Sequence, residues 1–260
     1  MLWSERSWSE IESMDKRIPV VVPLGSCEQH GRHLPVLVDS FQVSALVDQL
    51  EAQLGSRALF TPTLWLGASD HHRDFPGRLS LPPFLYSQVI QSYTACILES
   101  GFTRIHFLNG HGGNLVPVSQ ALTDLIVKDD RFDGANLTLG SWWQTASGAI
   151  QPEDHGMSTP HLTHACEYET SLMLAIREDL VNLSKLDPAH FEKPRPWASG
   201  KWKSKVEGFH RFHRWTSTGH MGDPSQATVA KGRSLLEAVA AEIACFLTDS
   251  SQWPPMEPLQ

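Results

Sequence analysis

Cysteine is scarce, with four in 260 residues (Cys27, Cys96, Cys166 and Cys245) and no close spacing among them. That excludes a disulfide framework and fits a reducing, cytoplasmic setting. Basic residues are also few: Lys and Arg total 21 against 29 Asp and Glu, for a formal charge of −8 with histidine neutral. With no basic run, the chain lacks the electrostatic footprint of a nucleic-acid binder, whose affinity rests on neutralising phosphates. No apolar run reaches the roughly 18 residues of a membrane helix. The N-terminal stretch MLWSERSWSEIESMDKR is polar and charged, without the apolar centre of a secretory signal. Neither a nucleic-acid nor a membrane partner is expected. Repeats and low-complexity blocks are missing as well. At 41% hydrophobic and 19% charged, the composition belongs to a folded chain. A chain of this length buries about 70–75% of its unfolded surface, so it needs no metal to hold its fold.

Strand and helix signals alternate along the chain. Residues 18–24 (IPVVVPL) form a β-branched apolar run closed by Gly25, the mark of a buried strand. Residues 41–54 carry apolar side chains at helical spacing up to Gly55. Residues 59–66 read as a second strand and 84–99 as a helix stopped by Gly101. Strands follow at 104–108 and 137–143, with helices at 115–127, 170–176 and 227–247. This order predicts a single three-layer α/β/α domain over 1–260 with a mostly parallel central sheet. Within it, 183–224 is expected as an ordered arm or loop region and 253–260 as a loose tail.

Histidine is abundant, with 13 residues. Ligands of open α/β sheets sit beyond the carboxyl ends of the strands, and two unusual polar stretches start there. Gly25-Ser-Cys-Glu28-Gln-His30-Gly31 follows the first strand, with Asp39 nine residues beyond His30. In an extended segment Glu28 and His30 face the same way. Oxygen and imidazole donors together suit Zn²⁺, Mn²⁺ or Fe²⁺; a polar surface loop, with Asp39 capping the next helix, accounts for the same residues. The second stretch is Asn109-Gly-His111-Gly-Gly-Asn114, whose glycines permit close approach of a ligand. A phosphate cradle is the alternative, without a P-loop's Lys and Ser/Thr. A third, His164-Ala-Cys-Glu167-Tyr-Glu169, runs into an apolar helix, where acids near the positive end of the dipole are ordinary. His71-His72 follows a strand and is placed at the same mouth; His106 reads as core, and His210, His213 and His220 as solvated.

The segments PLGSCEQHGRHLPVLVD (23–39), FPGRLSL (75–81), NGHGGN (109–114), HACEYETS (164–171) and GDPSQATVAKG (222–232) together resemble the creatininase (creatinine amidohydrolase) family. The resemblance implies an α/β hydrolase of C–N bonds in cyclic or linear amides, with two divalent metal ions, Zn²⁺ foremost and Mn²⁺ or Fe²⁺ as alternatives. Glu28 and His111 would hold one metal and His30 the other, with Asp39 between them. Creatininase itself takes a glutamate two residues after the NGH histidine; Gly113 stands there, so Glu167 is the expected replacement and Glu169 the reserve. His164 matches a proton-shuttling histidine and Trp143 a tryptophan that packs on the substrate, with His72 also on the substrate side. Pro160 and Arg78 depart from the family pattern, so the substrate stays open among cyclic amides, formamides and small peptides. The family also implies a homo-oligomer, a hexamer by resemblance; the apolar rings of the tryptophan-rich stretch 197–215, in a segment of weak periodicity, make it the expected interface.

The implied chemistry is attack on an amide carbonyl by a hydroxide bridging the two metals, its water shifted from a pKa of about 15.7 toward neutrality. Two other readings use the cysteines. Cys27 or Cys166 as a histidine-activated nucleophile would make a cysteine hydrolase. Cys27, His30, His164 and Cys166 as a closed tetrahedron would make a non-catalytic protein with a structural zinc.

Overall fold

The strand Val20–Leu24 (β1) is buried along its whole length, because it lies at the centre of a sheet covered on both faces. The computed structural model describes residues 1–186 and 208–254. A short helix Trp8–Ser13 (α1) precedes β1, and Val38–Leu54 (α2), Leu59–Phe60 (β2) and Pro83–Glu99 (α3) follow it. Then come Arg104–Asn109 (β3), Leu115–Lys128 (α4), Asn136–Ser141 (β4) and two short helices, Trp142–Thr145 (α5) and Pro152–His155 (α6). Glu167–Arg177 (α7) and Val229–Thr248 (α8) complete the described helices.

The sheet order is β2-β1-β3-β4 and every pairing is parallel, as the alternating pattern predicts. Side chains alternate across it. Val21, Phe60 and Leu108 pack with α2, α5, α7 and α8 on one face. Val20, Val22, Leu24, Ile105 and Phe107 pack with α1, α3 and α4 on the other. The register runs from Val20 opposite Ile105 to Leu24 opposite Asn109, so β1 and β3 end side by side. Chain order reverses between these two strands. Their loops therefore open into the crevice where ligands of such sheets bind.

The structure departs from the sequence reading in four places. The expected strand 59–66 pairs only over Leu59–Phe60, because Pro62 has no N–H to give; the chain rejoins at Leu64, whose N–H donates to Pro23 O. β4 stops at Ser141, and Trp142 and Trp143 open a helical turn instead of ending the strand. α2 begins at Val38, which puts Asp39 inside the first helical turn and not at the cap. Trp253, expected at the start of the loose tail, is a core residue whose indole N–H donates to Leu247 O. Of the arm at 183–224, the described parts hold short 3₁₀ turns at Leu183–Lys185 and Phe212–Arg214. Residues 187–207, with most of the stretch 197–215, lie outside the described residues, as do 255–260.

α7 and α8 cross at Gly232, where an added Cβ would meet Ser171 O at 1.9 Å and Ser171 C at 2.4 Å. Backbone cannot yield as a flexible side chain does, and α7 leads into the site. Gly232→Ala is expected to destabilise the fold by about 3 kcal/mol or more, read as the urea midpoint, because the helices must separate. His106, in β3, is buried, with Nδ1 paired to Thr138 Oγ1 at 2.9 Å and Nε2 without a partner among the described residues. Burial pushes its pKa down to about 4. The unfolded chain thus binds more protons between about pH 4 and the ordinary value near 6.5. Stability from this group is present above that window and lost as pH falls through it. Urea unfolding at pH 5 and 7.5 should show a smaller pH dependence in His106→Gln than in the parent.

Candidate metal centre

Two asparagine amides hold the loops after β1 and β3 together. Asn109 donates from Nδ2 to His111 O and to Ser141 Oγ, while its Oδ1 accepts from His111 N. Asn114 donates to Gly25 O and to Asn109 Oδ1, and its own Oδ1 accepts from Ala68 N. All these groups are buried, so each bond satisfies a loop amide or carbonyl that water cannot reach. Gly110 lies between them, with room for no side chain: a Cβ would come within 3.0 Å of Asp39 O. This frame aims Glu28, His30 and His111 into one space at the head of α2.

Asp39 stands in the middle. Its Oδ1 lies 3.1 Å from His30 Nε2 and its Oδ2 3.1 Å from His111 Nδ1. Ser26 Oγ donates to Oδ2 at 2.5 Å. Glu28 Oε1 lies 3.3 Å from His111 Nδ1 and 3.4 Å from His72 Nε2. Three overlapping groups bring their donor atoms within 4.8 Å of one another: Glu28, His71 and His111; Glu28, His30 and His164; and His30, Asp39 and Glu169. The structure thus brings together Glu28, His30, Asp39, His111 and His164, and adds His71 and Glu169.

Glu167, the expected ligand, is not among them. It accepts from Ser158 N and Thr159 N and pairs with Lys231 Nζ at 2.6 Å, anchoring the loop before α7 to α8. On a helix, positions 167 and 169 point to different sides, and the reserve residue Glu169 is the one that faces His30. Ala165, at φ +50° and fully buried, supplies the reversal that lets His164 and Glu169 face one space, and its N–H donates to Glu169 Oε2. His72 departs from the substrate side. It is 1% exposed, its Nδ1 accepts from the Gln29 amide at 3.0 Å, and its Nε2 faces Glu28. The cysteines have other surroundings. Cys27 Sγ donates to Gly77 O, and Cys166 Sγ accepts from Thr163 N. Among the described residues neither joins a metal-capable group, against a Cys₂His₂ zinc. Burial raises both thiols, that of Cys166 to about 11, which keeps them protonated and poor nucleophiles at neutral pH.

Three carboxylates, Glu28, Asp39 and Glu169, are 1–6% exposed. Buried charges of one sign require compensation. Burial pushes Glu169 up to about 7. Burial also opposes charge on Glu28 and Asp39, but the imidazoles beside them override it and hold both well below the usual carboxylate range. Conversely, burial would lower His30 and His111, yet Asp39 and Glu28 hold His30 at about 9 and His111 well above its ordinary value. Protons on two imidazoles thus supply the positive charge the carboxylates need. Divalent cations would supply it equally, and Glu28 Oε2, buried with no hydrogen-bond partner among the described residues, is a free donor for one. The residues fit a metal centre.

A cavity of about 380 Å³ opens over the cluster, lined by Trp143, Leu162, Thr163 and His164 with Gly110–Gly113. The sequence missed an aromatic ring packed against two of the site histidines. Phe212, from the arm, stacks on His72 at 4.2 Å between ring centroids and meets His164 edge-on at 4.6 Å. Asp74 accepts from Arg211 at 2.8 Å, and its other oxygen lies 2.6 Å from His213 Nδ1, so His213 stands half-buried against an acid rather than in open solvent. His220 is likewise buried. Nothing in the weak periodicity of 183–224 marks Phe212; only its position between two basic residues and opposite an acid does.

Glu167 and Glu169 separate in two measurements. Glu169→Gln should cut bound divalent metal by at least half under dialysis while the fold persists. Glu167→Gln should keep its metal and lose on the order of 2–4 kcal/mol, because Lys231 and two loop amides lose a charged partner. The reverse pattern would restore Glu167 as the ligand.

The family model for creatininase (creatinine amidohydrolase) matches residues 4–247. A mycofactocin precursor peptide peptidase of Mycolicibacterium smegmatis is 30% identical over 241 residues, 91% of this chain and 85% of that protein. The creatinine amidohydrolase of Pseudomonas putida is 26% identical over 233 residues, 78% of this chain and 88% of that one. A manganese creatininase structure superposes with a TM-score of 0.80 at 23% identity, covering 98% of this chain and 99% of that one. With a parallel sheet of the same kind and the motif residues gathered at its carboxyl end, the chain belongs to the creatininase family of amidohydrolases.

Proposed function

We propose that this protein is a dinuclear metal-dependent hydrolase of a C–N bond in a small cyclic or linear amide. The observation that carries the reading is Asp39, whose two oxygens each face a different imidazole while further donors flank both. That is the shape of a carboxylate set between two cations. Glu28 and His111 would hold one ion and His30 and Glu169 the other. Two divalent cations, when bound, supply an activated water near neutral pH and polarise the amide carbonyl.

The chain's own groups handle the proton. His164 Nε2 lies 2.8 Å from Gln29 O and 3.1 Å from the Gln29 side-chain nitrogen, and its Nδ1 faces Glu28 Oε1 at 3.8 Å. Burial first, and then the neighbouring His30, push His164 down to about 3, which keeps it neutral at pH 7. Its place in the cavity lining makes it the group positioned to take a proton from the attacking water and pass it to the leaving nitrogen. Trp143 lines the cavity above and gives a flat apolar wall for a planar amide. A cavity of about 380 Å³ suits a small molecule or the end of a short peptide. The peptidase and creatinine amidohydrolase relatives span that range of amides.

Elemental analysis after purification without chelator should find about two equivalents of Zn, Mn or Fe per chain. Asp39→Asn should hold less than one and lose at least about 100-fold in turnover of whichever amide the parent cleaves, from a panel of creatinine, formamides and short peptides. A metal-replete, fully active Asn variant would remove Asp39 from between the ions.

A further inference from the structure

The 3₁₀ turn Asp70–His72 places two histidines at the centre, and only His72 has an evident partner set. His71 is half-buried, and neither of its ring nitrogens has a hydrogen-bond partner among the described residues. Its donor atom falls within 4.8 Å of those of Glu28 and His111, and its ring lies nearly parallel to that of His111 at 17° and 5.5 Å. An imidazole left without a partner beside an orphaned carboxylate oxygen, Glu28 Oε2, is the arrangement of donors around a missing cation.

Gly113 explains how the ring fits. A Cβ at this position would meet His71 Cε1 at 2.7 Å, His111 Nε2 at 2.4 Å and Ala68 O at 2.3 Å. Any side chain at 113 would displace one of the two imidazoles. The Asp70 carboxylate, 3.3 Å from Arg78, pins the turn from outside. We infer that His71 is a ligand of the metal position shared by Glu28 and His111, and that residue 113 is glycine because His71 occupies the space above it. The inference rests on the dinuclear reading and deepens it.

The consequence is chemical asymmetry. The position beside His71 offers two imidazoles with the carboxylates Glu28 and Asp39, while the position beside His30 offers one imidazole with Asp39 and Glu169. Nitrogen-rich sites suit Zn²⁺ or Fe²⁺, and oxygen-rich sites suit Mn²⁺. Two classes of site with different preferences are expected in one chain.

The test uses the full chain and measures Zn²⁺ and Mn²⁺ binding by chelator competition and elemental analysis, with no activity assay. The parent should hold two equivalents. His71→Ala and His71→Gln should each hold about one, with affinity at the lost position down by more than about 100-fold, since even partners behind a ligand cost 10–100-fold. Gly113→Ala should weaken the same position. His71→Asp should recover the second equivalent with its preference shifted toward Mn²⁺. The metal-free melting temperatures of the His71 variants should match that of the metal-free parent, which excludes general unfolding. If both His71→Ala and His71→Gln keep two equivalents at parental affinity while Asp39→Asn loses them, the inference about His71 is wrong and the dinuclear reading stands. A parent that takes up no divalent metal overturns both.

Discussion

Three carboxylates packed out of water at the end of a parallel sheet form an arrangement that cannot exist uncompensated. Glu28, Asp39 and Glu169 come from the loop after β1, the first turn of α2 and the first turn of α7, and each is almost fully buried. Positive charge beside them must offset their repulsion: the acids raise the pKa values of His30 and His111, and two divalent cations held by the same residues would serve in place of those protons. Much of the surrounding architecture follows from that requirement. The histidines must sit within about 3 Å of the acids, and the loops that carry them must be fixed more tightly than loops usually are.

The fixing is done by side-chain amides rather than by further secondary structure. Asn109 and Asn114 saturate the buried loop groups after β1 and β3, and Asn109 extends the network to Ser141 at the end of β4. Three adjacent strand ends are thereby tied into one unit. α7 arrives from the other direction. Its approach is set by the Gly232 crossing on α8, by the Glu167–Lys231 pair, and by the left-handed turn at Ala165. A non-glycine residue in that conformation costs on the order of 1 kcal/mol. Here the surrounding contacts enforce it, and it brings His164 and Glu169 to the same centre.

Most of the frame was legible in the sequence because it rests on local signals. A β-branched run closed by glycine marked β1, a short apolar stretch ahead of NGHGGN marked β3, helical spacing marked α2, α3, α4 and α8, and the position of polar motifs after strands marked the site. That Glu28, His30, Asp39 and His111 gather in one place was legible for the same reason, since they lie in short motifs next to strand ends. The choice between Glu167 and Glu169 was not. Both sit in the first turn of α7, and what separates them is Lys231, 64 residues away, which takes Glu167 for a structural pair. Phe212 was hidden for a related reason: its role comes from contacts to His72 and His164 across long sequence separations, and its own segment has no period. Pro62 showed the opposite case, a local residue whose missing N–H overrode an apolar run.

The hydrogen-bond polarity around Gln29 shows how far the centre is specified beyond its acids. The Gln29 side-chain oxygen accepts from Gly31 N, which orients the amide so that its nitrogen donates to His72 Nδ1. That donation leaves the His72 proton on Nε2, aimed at Glu28 Oε1, and so leaves Oε2 of the same carboxylate unpaired. Meanwhile the backbone carbonyl and the side-chain nitrogen of Gln29 both lie within hydrogen-bond distance of His164 Nε2. One residue thus fixes the tautomer of His72, which supports an acid, and holds the ring of His164, which faces the cavity. Stacking of Phe212 on His72 closes this set from the arm side, and Asp74 holds Phe212 there through its neighbours on both sides. Because an imidazole presents either a donor or an acceptor at each nitrogen, a glutamine at position 29 has consequences that a carboxylate would not. An amide accepts from Gly31 and donates to His72 at once, as an ionised carboxylate cannot, which ties the tautomer of His72 to a side chain that itself never titrates.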